Sequence, residues 1–195
     1  MALTTIARVK ELLGIKQDDA TKDAILATFV ERVSKSVADR TNRTFEYQAS
    51  IIDYFDGDGI GGEGWDGKSQ WIPLRNYPVD LSVPVTIYDD PARLYPASTL
   101  IQSTDYAVDE INGIIKLDGT RAFNRGHKNI KITYAAGYKT IPQDLEYAAI
   151  LYCAADFIES QGELQSVVAI EVSSRIKALR DQADALAGLY IRPIF

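Results

Sequence analysis

The sequence predicts an α+β fold: a helical bundle of about four helices with an antiparallel β-rich region inserted between helices 2 and 3. Three observations predict it. Apolar residues recur at helical spacing over residues 4–13 and 20–41. From about 45 to 141 the pattern changes to short β-branched and aromatic runs punctuated by Gly, Pro and Asn. Helical spacing returns at Pro142 and persists to about 188. With 195 residues, 46% of them hydrophobic, the chain is long enough to build a core without covalent staples.

The first helix is expected over residues 4–13, with Thr4 or Thr5 as its cap. Ile6, Val9, Leu12 and Leu13 share a face, and Gly14 stops it. Gln17-Asp18-Asp19 is a polar turn that places acids at the start of the next helix, where the dipole favours them. That second helix spans 20–41. Ile25, Leu26, Phe29, Val30, Val33 and Val37 form its apolar stripe, and it ends near Thr41-Asn42. Strands are expected at Ile51–Phe55, Gln70–Leu74, Val83–Tyr88, Tyr106–Ile111, Ile114–Leu117 and Asn129–Tyr134. Asn112-Gly113 reads as a type I′ turn closing a tight hairpin. Pro78, Pro84, Pro91 and Pro96 fall between strands or at their edges. The third helix opens at Pro142, with Gln143, Asp144 and Glu146 loading its positive end. Leu145, Ala148, Ala149, Tyr152, Cys153 and Phe157 face one side, and Gly162 ends it. The alanines predict close packing on a neighbouring helix. The last helix covers about 167–188, with a heptad seam through Val172, Ile176, Leu179, Ala183 and Leu186. The parts therefore divide as 1–44, 45–141, 142–188 and a tail at 189–195, all within one domain.

Charge and composition remove several functions. Lys plus Arg is 21 and Asp plus Glu is 27, a net charge of -6, with no basic run. Sequence-reading of duplex DNA normally needs a clustered basic surface, so it is not expected here. An acidic balance instead suits a protein that lets DNA pass without sticking. The lone cysteine, Cys153, rules out an intrachain disulfide and a cysteine-only zinc site. The lone histidine, His127, removes His-rich metal sites and most His-based triads. The N-terminal stretch has no signal-peptide pattern, and no window approaches 18 consecutive apolar residues. The expectation is a soluble protein made inside the cell, with no membrane span. No motif calls for a cofactor or a catalytic residue.

Four features carry candidate chemistry. Six of the 13 glycines lie between 57 and 67, alongside Asp56, Asp58, Glu63, Trp65 and Asp66. Carboxylates on flexible backbone can hold Ca²⁺, but Ile60 breaks the EF-hand pattern and Gly67-Lys68-Ser69 is not a P-loop. The plainer reading is a hairpin loop that orders against a partner or a neighbouring subunit. Arg125-Gly126-His127-Lys128 places the histidine in an exposed turn. Asp53 and Asp56, Asp89 and Asp90, and Asp105, Asp109 and Glu110 read as solvated turn acids rather than paired catalytic carboxylates. Of the 11 tyrosines, Tyr77, Tyr88, Tyr95, Tyr106, Tyr134 and Tyr138 decorate the β region as half-buried strand residues. Stacking of sugars or single-stranded bases is the functional alternative, weakened for nucleic acid by the lack of basic neighbours. Finally, Leu189, Tyr190, Ile191, Ile194 and Phe195 make the terminal segment costly in water, so it either folds back on its own core or docks in another protein's groove.

Three stretches together resemble the gp6-like and gp15-like head–tail connector proteins of long-tailed phages, also called head-completion adaptors. The first is the short helix, acidic turn and long helix ending Ala38-Asp39-Arg40-Thr41-Asn42-Arg43. The second comprises Trp71-Ile72-Pro73-Leu74-Arg75-Asn76-Tyr77-Pro78-Val79, Asp105-Tyr106-Ala107-Val108-Asp109, Gly113-Ile114-Ile115-Lys116-Leu117 and Ile132-Thr133-Tyr134-Ala135-Ala136-Gly137-Tyr138. The third is Ile141-Pro142-Gln143-Asp144-Leu145-Glu146, opening the Ala-rich helix. The resemblance covers roughly residues 3–160; the loop Asp56–Gly67 and the stretch Glu163–Ser174 depart from it. It implies a non-enzymatic virion protein, made in the host bacterial cytoplasm, that forms a ring, usually twelvefold, under the portal after DNA packaging. Such a ring extends the DNA channel and offers a platform to the next neck protein. The implied portal-contacting residues here are Leu186, Leu189, Tyr190, Ile191, Arg192, Pro193, Ile194 and Phe195. Outside the resemblance, the rivals are a carbohydrate- or calcium-binding module on the 56–67 loop and a hydrolase using the acidic pairs.

Overall fold

A computed structural model describes residues 2–59, 71–118, 121–161 and 168–191, with 168–170 as backbone. In chain order the elements are α1 (Ile6–Leu13), α2 (Asp23–Thr41), β1 (Gln48–Gly57), β2 (Trp71–Pro73), β3 (Thr86–Asp89), β4 (Leu100–Ile101), β5 (Tyr106–Asp109), β6 (Ile114–Leu117), β7 (Gly126–Ala136), α3 (Gln143–Ser160) and α4 (Val168–Gly188). This is the α+β order expected, with every strand between α2 and α3. The chain forms two compact units, Met1–Arg43 with Thr140–Phe195, and Thr44–Lys139. Among the described residues, no helix is long and apolar enough to cross a membrane.

In the helical unit the local signals act as chemistry dictates. The Thr5 hydroxyl accepts from the Arg8 N–H at 3.4 Å, and Gly14 ends α1 in the left-handed region at φ 70°. A single 3-10 turn, Ala20–Lys22, capped by Asp19, leads into α2, and Asn42 closes it at φ 51°. The buried face of α1 differs from expectation. Leu12 is 39% exposed, while Lys10 is 2% exposed. Its ammonium lies 2.5 Å from Asp23 Oδ1 and donates to the Gln17 carbonyl at 3.3 Å, so the buried charge is partnered. Helix α3 packs against α1, α2 and α4. Its burial therefore runs around the helix, adding Ile150, Leu151, Ala154 and Ala155 to the single face expected. Alanines on α3 and, on α4, Ala183 and Ala187 are buried to 1% or less, which allows close helix approach. On α4 the predicted seam turns inward: Ala183 is buried, and Val172, Ile176, Leu179 and Leu186 are half-buried. Gly162, the expected end of α3, lies outside the described residues.

The β unit holds a four-stranded sheet, order β1-β7-β3-β4, and a three-stranded sheet, order β2-β6-β5, with all pairings antiparallel. Residues of both sheets, among them Ile72, Ile87, Ile115, Leu117, Ile130 and Ile132, share one core. The strands on either side of the Gly-rich segment belong to different sheets. The Asn112-Gly113 hairpin is longer than a two-residue turn. Asp109 pairs Ile114, leaving a four-residue loop, Glu110–Gly113, in which Gly113 alone takes a positive φ, 59°. Asp109 explains the change: its carboxylate accepts from the Asn112 backbone N–H (3.0 Å) and side-chain amide (2.8 Å), which holds Asn112 out of the left-handed region.

The β unit is closed where the chain enters and leaves it. The Tyr47 N–H donates to the Tyr138 carbonyl (3.2 Å), and the Tyr138 N–H donates to Phe45 (2.8 Å), a parallel bridge centred on Glu46. The Phe45 and Tyr138 rings stack at 6.5 Å. Asp80 completes the closure, accepting from Lys139 Nζ (2.8 Å), Tyr47 Oη (2.9 Å) and the Ser82 hydroxyl (2.5 Å). The Lys139 ammonium, then Ser82 and Tyr47, hold the Asp80 carboxyl well below the usual carboxylate range.

Candidate functional site

The tail begins where α4 ends. Leu189, Tyr190 and Ile191 donate in turn to the carbonyls of Leu186 (3.2 Å), Ala187 (3.1 Å) and Gly188 (3.2 Å), so the chain tightens beyond the α-helix. The Tyr190 hydroxyl then donates to Asp144 Oδ1 at 2.5 Å, fixing the tail root to the first turn of α3. Leu186 is half-buried in the bundle. Leu189 and Ile191 point away from it, 73% and 40% exposed. Tyr190 is held by the bundle, whereas Leu189 and Ile191 face water. Tyr147, 40% exposed, lies one turn along α3 from Asp144 on the same face. Arg192, Pro193, Ile194 and Phe195 lie outside the described residues.

Between α2, α3 and α4 a cleft of ≈ 380 Å³ is lined by arginines and acids. Asp156 bridges Arg32 (2.6 Å) and Arg180 (3.0 Å), and Arg180 also reaches Glu159 (2.7 Å). Asp184 pairs Arg40 and accepts from Tyr152 Oη at 2.6 Å. Burial, then the hydrogen bond to Asp184, pushes the Tyr152 phenol up to about 12, while Tyr152 and Arg40 hold the Asp184 carboxyl below its ordinary value. Three guanidiniums face three carboxylates here, so no excess charge is left for a ligand; the cluster ties helices together. Cys153 is fully buried, and burial pushes its thiol up to about 12, an inert state for a nucleophile.

At the root of the Gly-rich segment, Asp56 Oδ1 accepts from the Lys128 N–H (2.7 Å) and Oδ2 lies 3.1 Å from His127 Nδ1. The Lys128 N–H, then His127, hold the Asp56 carboxyl below its usual range. His127 sits at the start of β7, exposed, as does Asp56. Asp58 is described and exposed; Glu63, Trp65 and Asp66 lie outside the described residues. Among the described residues, no group of three His, Cys, Asp or Glu side chains is placed to hold a metal ion.

Three of the acids expected to be solvated are instead structural. Asp53 is 8% exposed and accepts from the buried Tyr134 hydroxyl at 2.7 Å. Asp90, 6% exposed, accepts from the N–H groups of Ala92 (2.9 Å), Leu94 (2.7 Å) and Tyr95 (2.8 Å), organising the loop after β3. Asp89 is half-buried among Asn124 and Asn129, and burial raises its carboxyl above the ordinary value despite their hydrogen bonds. Asp105 pairs Arg121 at 2.8 Å.

The outer face of the four-stranded sheet holds an arrangement the sequence reading left in pieces. Tyr54 and Tyr88 both pair Lys131, placing the three in one row across β1, β7 and β3. The Lys131 ammonium lies 5.7 Å from the Tyr88 ring and 5.5 Å from Tyr95, and Tyr95 meets Tyr54 at 5.8 Å. The Tyr95 hydroxyl donates to the Lys128 carbonyl at 2.6 Å. Alternation along β1 marks Tyr54 as outward, but nothing local reveals that β3 and β7 bring a lysine between the rings.

No family model matches the sequence, and no curated protein matches it. Solved structures match the chain, among them the following two. One is a chain from the neck of an empty GTA particle computed with C6 symmetry: 16% identity, 91% of this chain and 89% of that one covered, TM-score 0.55. The other is from the neck of a native GTA particle computed with C12 symmetry: 17% identity, 80% and 82% covered, TM-score 0.48.

Proposed function

We propose that this chain is a non-enzymatic structural protein of the neck of a tailed phage, prophage or related particle. In this reading it assembles as a ring beneath the portal after DNA packaging, extends the DNA channel, and carries the next neck protein. The observation that carries the reading is the fold shared over 91% of the chain with a component of a GTA-particle neck. The resemblance of the ordered sequence stretches to head–tail connectors supports it independently. That neck was computed with C6 symmetry, which suits a closed ring of six or twelve copies. The net charge of -6 suits a channel wall that does not grip phosphate. The tail supplies the portal contact: Leu189 and Ile191, exposed on a root fixed by Tyr190, gain their burial on docking.

Co-sedimentation with DNA-filled, tailless capsids of the encoding phage, beside purified portal, tests the reading. Wild-type protein is expected to bind saturably at the portal vertex. Leu189→Asp with Ile191→Asp is expected to weaken that binding at least about tenfold while thermal unfolding stays unchanged. Substitution is cleaner than truncation here, because Ala187 is buried and Tyr190 is bonded to Asp144. Folded protein that binds neither capsid nor portal overturns the proposal.

A further inference from the structure

We infer that, within such a ring, the tip of the β5–β6 hairpin of one copy seats on the tyrosine–lysine face of the next copy's four-stranded sheet; this rests on the ring reading above. The socket is the row Tyr54–Lys131–Tyr88, capped by Tyr95. Around it Ile52 is 50% exposed and Tyr54 41%, on the outward side of β1, and Leu94, next to Tyr95 in sequence, is 80% exposed. Arg93, two residues before Tyr95, and Lys128, whose carbonyl accepts from Tyr95, are exposed. The nearby exposed carboxylate of Asp56 is engaged by His127 and the Lys128 N–H. Beside Tyr95 the Asp90 carboxylate is likewise engaged, by the N–H groups of Ala92, Leu94 and Tyr95, so the charge this face presents is the Lys131 ammonium between its rings.

The hairpin tip is its complement. Glu110 is exposed and Ile111 is 71% exposed, an acid beside an aliphatic knob. Their loop is held rigidly: Asp109 accepts from Asn112 twice, the Glu110 carbonyl accepts from Val79 N–H (2.8 Å) and the Gly113 carbonyl from Leu74 N–H (2.8 Å). A preformed loop loses little freedom on docking. Placement supports contact between copies rather than within one. Tyr95 is bonded at Lys128, near the start of β7, whereas the tip is bonded to Val79, which bridges Ala136 at its end. The row itself lies at Lys131, five residues of strand and roughly 17 Å from Ala136. A cyclic ring needs two different complementary patches on each subunit, and opposite ends of one unit meet that need. The exposed aliphatics Ile52 and Leu94 favour a protein occupant over a nucleic acid, for which tyrosines and a lysine alone would form a stacking platform.

Disulfide mapping tests this, because the native Cys153 is buried and does not compete. Full-length protein carrying both Leu94→Cys and Ile111→Cys is bound to portal-bearing capsids and mildly oxidised. A ladder of covalent multimers ending at the ring number is expected, with neither single variant producing one. Glu110→Lys or Lys131→Glu alone is expected to cut cross-linking about tenfold, and the two together to restore it to within about threefold. Lys128→Glu, at an exposed position, replaces Lys131→Glu should that variant lose stability. Capsid-bound protein that yields no ladder overturns this contact while the ring reading stands; failure of wild-type protein to bind capsid or portal overturns the ring reading itself. A fluorescent oligothymidine that binds and is released by Lys131→Glu, with cross-linking unchanged, also overturns the inference and assigns the face to nucleic acid.

Discussion

Gly137 shows how narrowly single positions are constrained. It sits at φ 106°, and a Cβ there would lie 2.4 Å from the Glu46 carbonyl oxygen. Gly137→Ala is expected to destabilise the β unit by about 2 kcal/mol or more in urea titration, from strain plus the displaced Glu46 backbone. Tyr134→Phe leaves the buried Asp53 carboxylate without its hydroxyl donor, an expected loss of about 1–3 kcal/mol in the same measurement. Tyr152 gives a pH signature. Its folded pKa is raised to about 12 above the ordinary phenol, so the stability it contributes is complete below about pH 10 and is lost as pH rises toward 12. Unfolding midpoints are expected to fall over that window, and Tyr152→Phe to fall less steeply. At this scale the caps were legible: Thr5, Gly14 and Asn42 act through neighbours two to four residues away. The buried Lys10 and Asp53 were not, whereas Asp90 binds N–H groups two to five residues on and still reads in sequence as one more turn acid. Asp53 is satisfied by Tyr134, 81 positions along the chain, and a charge with a distant partner reads locally as a surface charge.

Among the elements, α3 is the keystone of its unit. Ala149 and Ala154 are buried to 1% or less with helices on several sides, so Ala149→Leu or Ala154→Leu overfills the packing. Each is expected to cost about 1–3 kcal/mol, visible as a lower thermal midpoint. The alanine content announced close packing, but one-faced periodicity understated it, because periodicity reports a stripe and α3 has neighbours around most of its circumference. The β5–β6 hairpin was legible as a hairpin and misread in length. Asn-Gly favours a two-residue turn, and the competing hydrogen bonds that Asn112 donates to Asp109 won. Strand β4 has two residues, too few for any alternation to mark it.

For the whole molecule, the order helices, strands, helices was legible because a change of hydrophobic period survives any tertiary arrangement. Sheet pairing was not: β1 joins β7 across most of the insertion, and no local signal encodes that partner. The root of the tail was partly legible. An apolar terminus stood out, whereas its division into a fixed Tyr190 and projecting Leu189 and Ile191 depends on Asp144 in another helix. Tyr190→Phe is therefore expected to weaken capsid binding by about threefold to tenfold without changing the unfolding midpoint, since a released root must be ordered again on docking. Loss of binding no greater than the assay error would leave the Tyr190 bond without a positioning role.

The parallel bridge at Glu46 and Tyr138 has a genetic corollary. The two strands of chain that bound the insertion run side by side, about 5 Å apart, and hydrogen-bond to each other. A segment whose ends already meet can be acquired, exchanged or deleted as one cassette with a short turn left behind.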